Sequence, residues 1–340
     1  MAARRPALLL AFLGLALPRA AEPCSTTGCV LVARGEAATV PAGEWRFDLT
    51  LRHSDLDRGL YGHEAIAVSG NPDPPTLRPL VDDETGLLSN NFHQERAMRA
   101  RVAQVDVSRG ITSRLTLVLS VPAFTERRVE HDVFAYSHDP NHRDENVAGG
   151  GAVGLTTAGI GDVQLNGRYL LRRGLIGTLG VQIPTGDDDR VDEYGRRADP
   201  MLQPGTGAFA ALFGLAVVRK IEGIGSTFTA SATYQRNTES ARGYRFGDDA
   251  FVLATLARSI HGPLGAALSV KALATGRNTF HGVASASTGG RAVYVAPSLR
   301  LRAPGNVGLF GTVHVPLYQH VNESQLGARV IFTAGLSVAP

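Results

Sequence analysis

From residue 44 onward the chain is a succession of segments, each roughly 10–14 residues long, in which apolar side chains alternate with polar or small ones. A period of two belongs to a strand with two unlike faces. Glu44 to His53 sets Trp45, Phe47, Leu49 and Leu51 on one face. Ile160 to Leu171 sets Val163, Leu165, Tyr169 and Leu171 opposite Asp162, Gln164, Asn166 and Arg168. Further segments are expected at about 97–107, 112–122, 175–183, 206–219, 227–235, 248–258, 264–271, 293–302 and 307–318, with a last one ending near Val338. The total is about twelve, an even number, so both ends of the repeat fall on one side.

The connections are expected to alternate between short turns, such as Arg172-Arg173-Gly174 and Pro304-Gly305-Asn306, and long loops. A soluble sandwich has no reason for that asymmetry, whereas a transmembrane barrel has short periplasmic turns and long extracellular loops. The polar faces also carry charges in mid-strand, among them Asp162, Arg168, Lys271, Arg300 and Arg302. A dry core would leave each uncompensated at a cost of several kcal/mol. A wet lumen tolerates them, and lipid then meets the apolar face. The expected fold is all-β: an antiparallel transmembrane β-barrel of about 12 strands over residues 44–340. Closure matters, because hydrocarbon offers no partner to an unpaired backbone group.

The N-terminus supports export. Arg4 and Arg5 precede an apolar run from Pro6 to Leu17 and the small residues Ala20 and Ala21, which reads as a signal peptide over residues 1–21. Residues 22–43 are then a periplasmic segment, with Cys24 and Cys29 expected as a disulfide in an oxidising compartment. The chain holds 34 basic and 31 acidic residues, and three of the basic ones, Arg4, Arg5 and Arg19, lie in the leader. The remainder is balanced, so the composition gives no basic face for nucleic acid. The expected surroundings are outer-membrane lipid and lipopolysaccharide, with small solutes as cargo.

Candidate lumen-lining residues are Asp162, Gln164, Asn166, Arg168, Lys271, Arg300, Arg302 and Arg329. The arginines and the lysine could form a basic stripe that prefers anions; an internal salt-bridge network is the competing reading. His131, His138 and His142, among nearby carboxylates, are candidate metal ligands, although their spacing matches no fixed motif. Asp187, Asp188 and Asp189, with Asp192 and Glu193, lack the regular ligand spacing of a calcium loop and read as a solvated loop face. No Gly-x-Ser-x-Gly and no His-x-Ser on a strand are present, so no enzyme and no cofactor are expected. The alternatives to a channel are a non-conducting barrel whose long loops, 57–92 and 127–158, bind a metal ion or a partner, and, less favoured, a barrel-embedded enzyme whose triad assembles only in space.

Gly159-Ile160-Gly161-Asp162-Val163-Gln164-Leu165 is followed by Arg168-Tyr169, then Gly180-Val181-Gln182-Ile183-Pro184-Thr185-Gly186-Asp187, then Gln203-Pro204-Gly205-Thr206-Gly207. This order resembles the outer-membrane family named for the MetA pathway of phenol degradation. The resemblance implies a barrel that passes small, aromatic or hydrophobic molecules; it carries over no catalytic or binding residue. The chain departs from many barrels in ending Leu336-Ser337-Val338-Ala339-Pro340, without a terminal aromatic residue.

Overall fold

The structure is a computed structural model that describes residues 39–66, 78–81, 88–136, 146–147, 152–191 and 197–339. The expected signal peptide, both cysteines, His138 and His142 lie outside the described residues.

Twelve wall strands close into one barrel. They are β1 (Trp45–Tyr61), β2 (Leu88–Gly110), β3 (Leu115–Tyr136), β4 (Ala152–Ile160, resuming as Val163–Arg172), β5 (Leu175–Ile183) and β6 (Ala210–Ile221), then β7 (Ser226–Asn237), β8 (Asp249–His261), β9 (Leu264–Thr275), β10 (Gly290–Ala303), β11 (Val307–Val321) and β12 (Ser324–Val338). Each pairs antiparallel with the next, and β1 pairs with both β2 and β12. Over the crossing part of the wall no edge is left open, as the membrane demands.

The two faces sort as the alternation predicts. Leu51, Leu165, Tyr169, Leu179, Leu268 and Phe332 point outward and are exposed. Thr50, Thr116, Gln182, Gln235 and Thr255 point inward and are buried. In water an exposed leucine belt is a liability. In lipid each such side chain contributes roughly 1.5–3 kcal/mol. Among the described residues no helix is long and apolar enough to cross a membrane; the strands cross it.

Three expectations need correction. First, β1 runs to Tyr61, β2 begins at Leu88 and β3 runs to Tyr136, so much of the expected loops 57–92 and 127–158 is strand. At 23 and 22 residues, β2 and β3 have about twice the length that a membrane crossing requires. Their outer halves exchange lipid for water, and charge replaces the apolar belt: Arg101 pairs with Glu126 at 2.8 Å, Arg99 with Asp55 at 2.9 Å and Arg128 with Glu130 at 3.0 Å. With both faces polar, the alternation fades although the strand continues. His131 consequently lies on a strand, its backbone paired with Glu95 and Val153, and not in a loop. Second, the last outer connection is a tight turn at Asn322-Glu323, with Glu323 at φ +55°, so long and short connections do not alternate strictly. Third, the expected sixth strand starts at Ala210, not 206, because Gly205 to Gly207 belong to an inward-folded loop.

Ahead of β1, Val40 is buried. Its amide donates to the hydroxyl of Thr116 at 2.8 Å, and Ala42 bridges Gly110. Thr116 faces the bore, so residues 40–42 rest against its inner wall at the turn end.

Candidate functional site

The bore has two levels. The outer level holds the described parts of the connection between β5 and β6, residues 184–191 and 197–209, which pack against the inner wall. Its short 3-10 helix, Pro200–Leu202, places Leu202 and Ala198 in a buried cluster with Val129 of β3. Arg127, inward-facing on β3 and 2% exposed, donates from Nη1 to the carbonyls of Met201 at 3.0 Å and Gln203 at 2.9 Å. Its guanidinium also stacks 4.1 Å from the Phe124 ring centroid. Thr157 of β4 donates to the carbonyl of Leu202. Gln203, 1% exposed, staples the loop to itself: its Nε2 donates to the carbonyls of Arg190 and Ala198, and its Oε1 accepts from the Arg190 amide.

Asp162 holds the root of this loop. It sits in the break of β4 and its carboxylate accepts four hydrogen bonds: from the Gly186 amide at 2.9 Å, the Thr206 amide at 2.8 Å, the Thr206 hydroxyl at 2.5 Å and Gln182 Nε2 at 3.1 Å. One carboxylate thus ties both ends of the loop to the wall. The glycines around it have a reason in space. A Cβ on Gly205 would stand 2.4 Å from the Gly186 backbone, and a Cβ on Gly161 would stand 3.0 Å from the Phe124 ring. Gly205→Ala is expected to cost about 1–3 kcal/mol of local stability by overpacking. The result to look for is faster proteolysis within residues 187–203, with the barrel still resistant; unchanged cleavage would contradict this packing.

The acidic run on the same loop is taken up by arginine. Asp187 pairs with Arg190 at 2.5 Å, and the Asp188 carbonyl accepts from Arg197 Nε at 3.0 Å and Nη2 at 2.7 Å. The Asp187 carboxyl is held below its ordinary value by its side-chain hydrogen bond with Asp189, with Arg190 adding to the effect. Among the described residues, no group of three or more histidine, cysteine or acidic side chains could hold a metal ion. Of the three candidate metal ligands, only the backbone of His131 is described.

Beside this loop, two further outer connections pack over the bore. Asn278, fully buried, accepts from the Gly247 amide at 2.9 Å and donates to the Tyr244 hydroxyl at 2.8 Å. Asp248 accepts from Arg245 at 2.6 Å, the Tyr234 hydroxyl at 2.7 Å and the Asn237 amide at 3.0 Å.

The inner level is a cavity of about 380 Å³ near the short turns. Lys271, Arg300 and Arg302 border it, together with Arg46 and Arg52, which the alternation of β1 also turns inward. Tyr294, Phe310, Thr312, His314 and Thr333 complete much of its wall. Lys271 Nζ stands 5.5 Å from the Phe251 ring centroid, and Arg302 donates to Ser259 at 3.3 Å.

Gln164 is buried and donates to Gln182 at 3.2 Å, on the wall below Asp162. Asn166 and Arg168 lie on the same inward face of β4, half-buried, away from the residues that border the cavity. Arg329 is displaced from the stripe. Register shifts around Leu56 in the β1–β12 pairing carry it to an exposed position, where it pairs with Asp57 at 2.8 Å. A one-residue slip reverses a side chain's face, and no sequence pattern marked this one. Reading by residue type also missed Arg52 and Arg46, because β1 drew attention through its aromatic face.

A scan against protein families gives one match, over residues 114–332, to the family described as "Putative MetA-pathway of phenol degradation". No curated protein sequence matches. Among solved structures, an outer membrane channel from Pseudomonas putida F1 aligns at a TM-score of 0.61 and 13% identity, covering 91% of this chain and all of that one. A FadL homologue from Pseudomonas aeruginosa aligns at a TM-score of 0.42 and 9% identity, covering 87% and 90% of the two chains. The toluene transporter TodX of P. putida aligns at 0.43 and 11%, covering 88% and 91%. The first of these supports the fold: a closed, twelve-stranded barrel of outer-membrane type. With a match spanning well over half its length, the chain belongs to the MetA-pathway family of phenol degradation.

Proposed function

We propose that this protein is an outer-membrane channel for small solutes, with its path running through the inner cavity and its outer mouth narrowed by residues 184–191 and 197–209. The supporting observation is the cavity itself: about 380 Å³ at the level of the short turns, walled by polar and charged side chains that a sealed core would exclude. Lys271, Arg300 and Arg302 would line the path there. Gln164, Asn166, Arg168 and Asp162 would line it on the opposite wall. The barrel would sit among outer-membrane lipid and lipopolysaccharide, its leucine belt in the hydrocarbon and its outer charged pairs at the headgroups. A solute-swelling assay on liposomes carrying the purified protein tests the reading. Swelling in small sugars or amino acids above that of empty liposomes is the expected result. Insertion without any permeability would favour the alternative, a closed barrel that works through its outer loops.

A further inference from the structure

We infer that the inner cavity is a binding site for a small organic anion, a monocarboxylate with an apolar body. The inference deepens the channel reading and rests on it only for how the solute arrives. Six cationic residues border the cavity, Arg46, Arg52, Arg258, Lys271, Arg300 and Arg302, and no aspartate or glutamate does. The carboxylate of Asp48, also on β1, meets Arg46 at 3.2 Å. Asp106, buried like Asp48, lies opposite it in the β1–β2 register. These two carboxylates are outnumbered by the six cations that border the cavity.

The cations are placed on one side. Lys271, Arg300 and Arg52 stand on β9, β10 and β1, and only β11 and β12 lie between the last two. Those two strands contribute Thr312, His314 and Thr333 to the same wall. Thr333 lies opposite Arg52 in the β1–β12 register, and Arg300 lies opposite Phe310 in the β10–β11 register. This arc therefore presents guanidinium and ammonium groups, hydroxyls and an aromatic ring together. Arg52 Nε is buried with no hydrogen-bond partner among the described residues. A buried donor of that kind is costly until an acceptor arrives, and a guanidinium suits a carboxylate best because it can offer two parallel N–H groups. Tyr294, Phe310, Leu253 and Ile331 supply the apolar surface for the remainder of such a ligand. An aliphatic hydrocarbon would gain nothing from the arc and would strip water from its charges.

The probe is benzoate, a monocarboxylate of the right size class. Reversal potentials are measured in planar bilayers across a potassium chloride gradient. Benzoate binding is measured separately, by calorimetric titration of the detergent-solubilised barrel. Wild type is expected to prefer chloride over potassium, to lose chloride current on addition of benzoate and to give a saturable heat. The triple variant Arg52→Gln, Lys271→Gln, Arg300→Gln is expected to lower the anion preference by about tenfold and to lose the heat. Arg300→Lys alone, which keeps the charge, should retain the preference; this control shows that folding is not the issue. A conducting wild-type barrel without anion preference or benzoate heat overturns the site and leaves the channel standing. A barrel that is silent in the bilayer but binds benzoate keeps the site and overturns the channel.

Discussion

Asp162→Ala is expected to release the loop of residues 184–209 from the outer mouth while the barrel stays closed. The carboxylate accepts four hydrogen bonds that join both ends of the loop to β4 and β5. Removing it strands the Gly186 and Thr206 amides as poorly solvated donors. Charge-assisted bonds contribute roughly 1.5–3 kcal/mol each and do not add fully, so a loss on the order of 3 kcal/mol is expected. That corresponds to about a hundredfold rise in the released population. Trypsin should then cut at Arg190 or Arg197 far faster than in wild type, with the strands protected. Asp162→Asn, which keeps one carbonyl acceptor, should fall between. Cleavage at the wild-type rate in Asp162→Ala would mean that Arg127 and Gln203 hold the loop without it.

A neighbouring pair on β9 should separate the two faces of the wall by the second-largest effect. Leu268 is about half exposed and faces outward, whereas Ser269 faces the bore within 2.9 Å of Thr255. Leu268→Arg puts a charge into hydrocarbon near mid-strand and is expected to destabilise the folded barrel by about 2–4 kcal/mol. Ser269→Arg adds the same charge to a wet lumen, where Lys271 on the same face contributes only screened repulsion, and should cost clearly less, about 1 kcal/mol. Reversible unfolding in urea from lipid vesicles measures both. Equal costs would mean that the outward face does not meet lipid, and the barrel reading would fail with it.

The contrast also explains what the sequence could reveal. Where a strand crosses the membrane, physics forces its faces apart, and the pattern at Val163, Leu165 and Tyr169 against Gln164, Asn166 and Arg168 appears in the bare sequence. Beyond the membrane both faces meet water. The outer half of β3, with Arg128 and Glu130 turned to water, therefore reads as loop, and the expected second strand starts only at about 97 although β2 begins at Leu88. The inward-folded loop was hidden for another reason. Its anchors are single polar residues, Asp162, Gln203 and Arg127, separated by as many as 76 positions and joined only in space. Glycine spacing alone marked the motif around Gly161, Gly186 and Gly205; only their packing shows that it builds a clamp. The cationic arc was partly visible: Lys271, Arg300 and Arg302 fell on polar faces, Arg52 went unnoticed, and Arg329 was assigned to the stripe until two bulges moved it out of phase.

The central claim is that a solute path runs through the bore. Single-channel recording of the protein purified from outer membranes, wild type beside Asp162→Ala, tests it most directly. Discrete conductance steps are expected in wild type and steps several-fold larger in the variant, since the loop narrows the mouth that Asp162 helps to close. Inserted, correctly folded barrels that remain silent in both forms would contradict it.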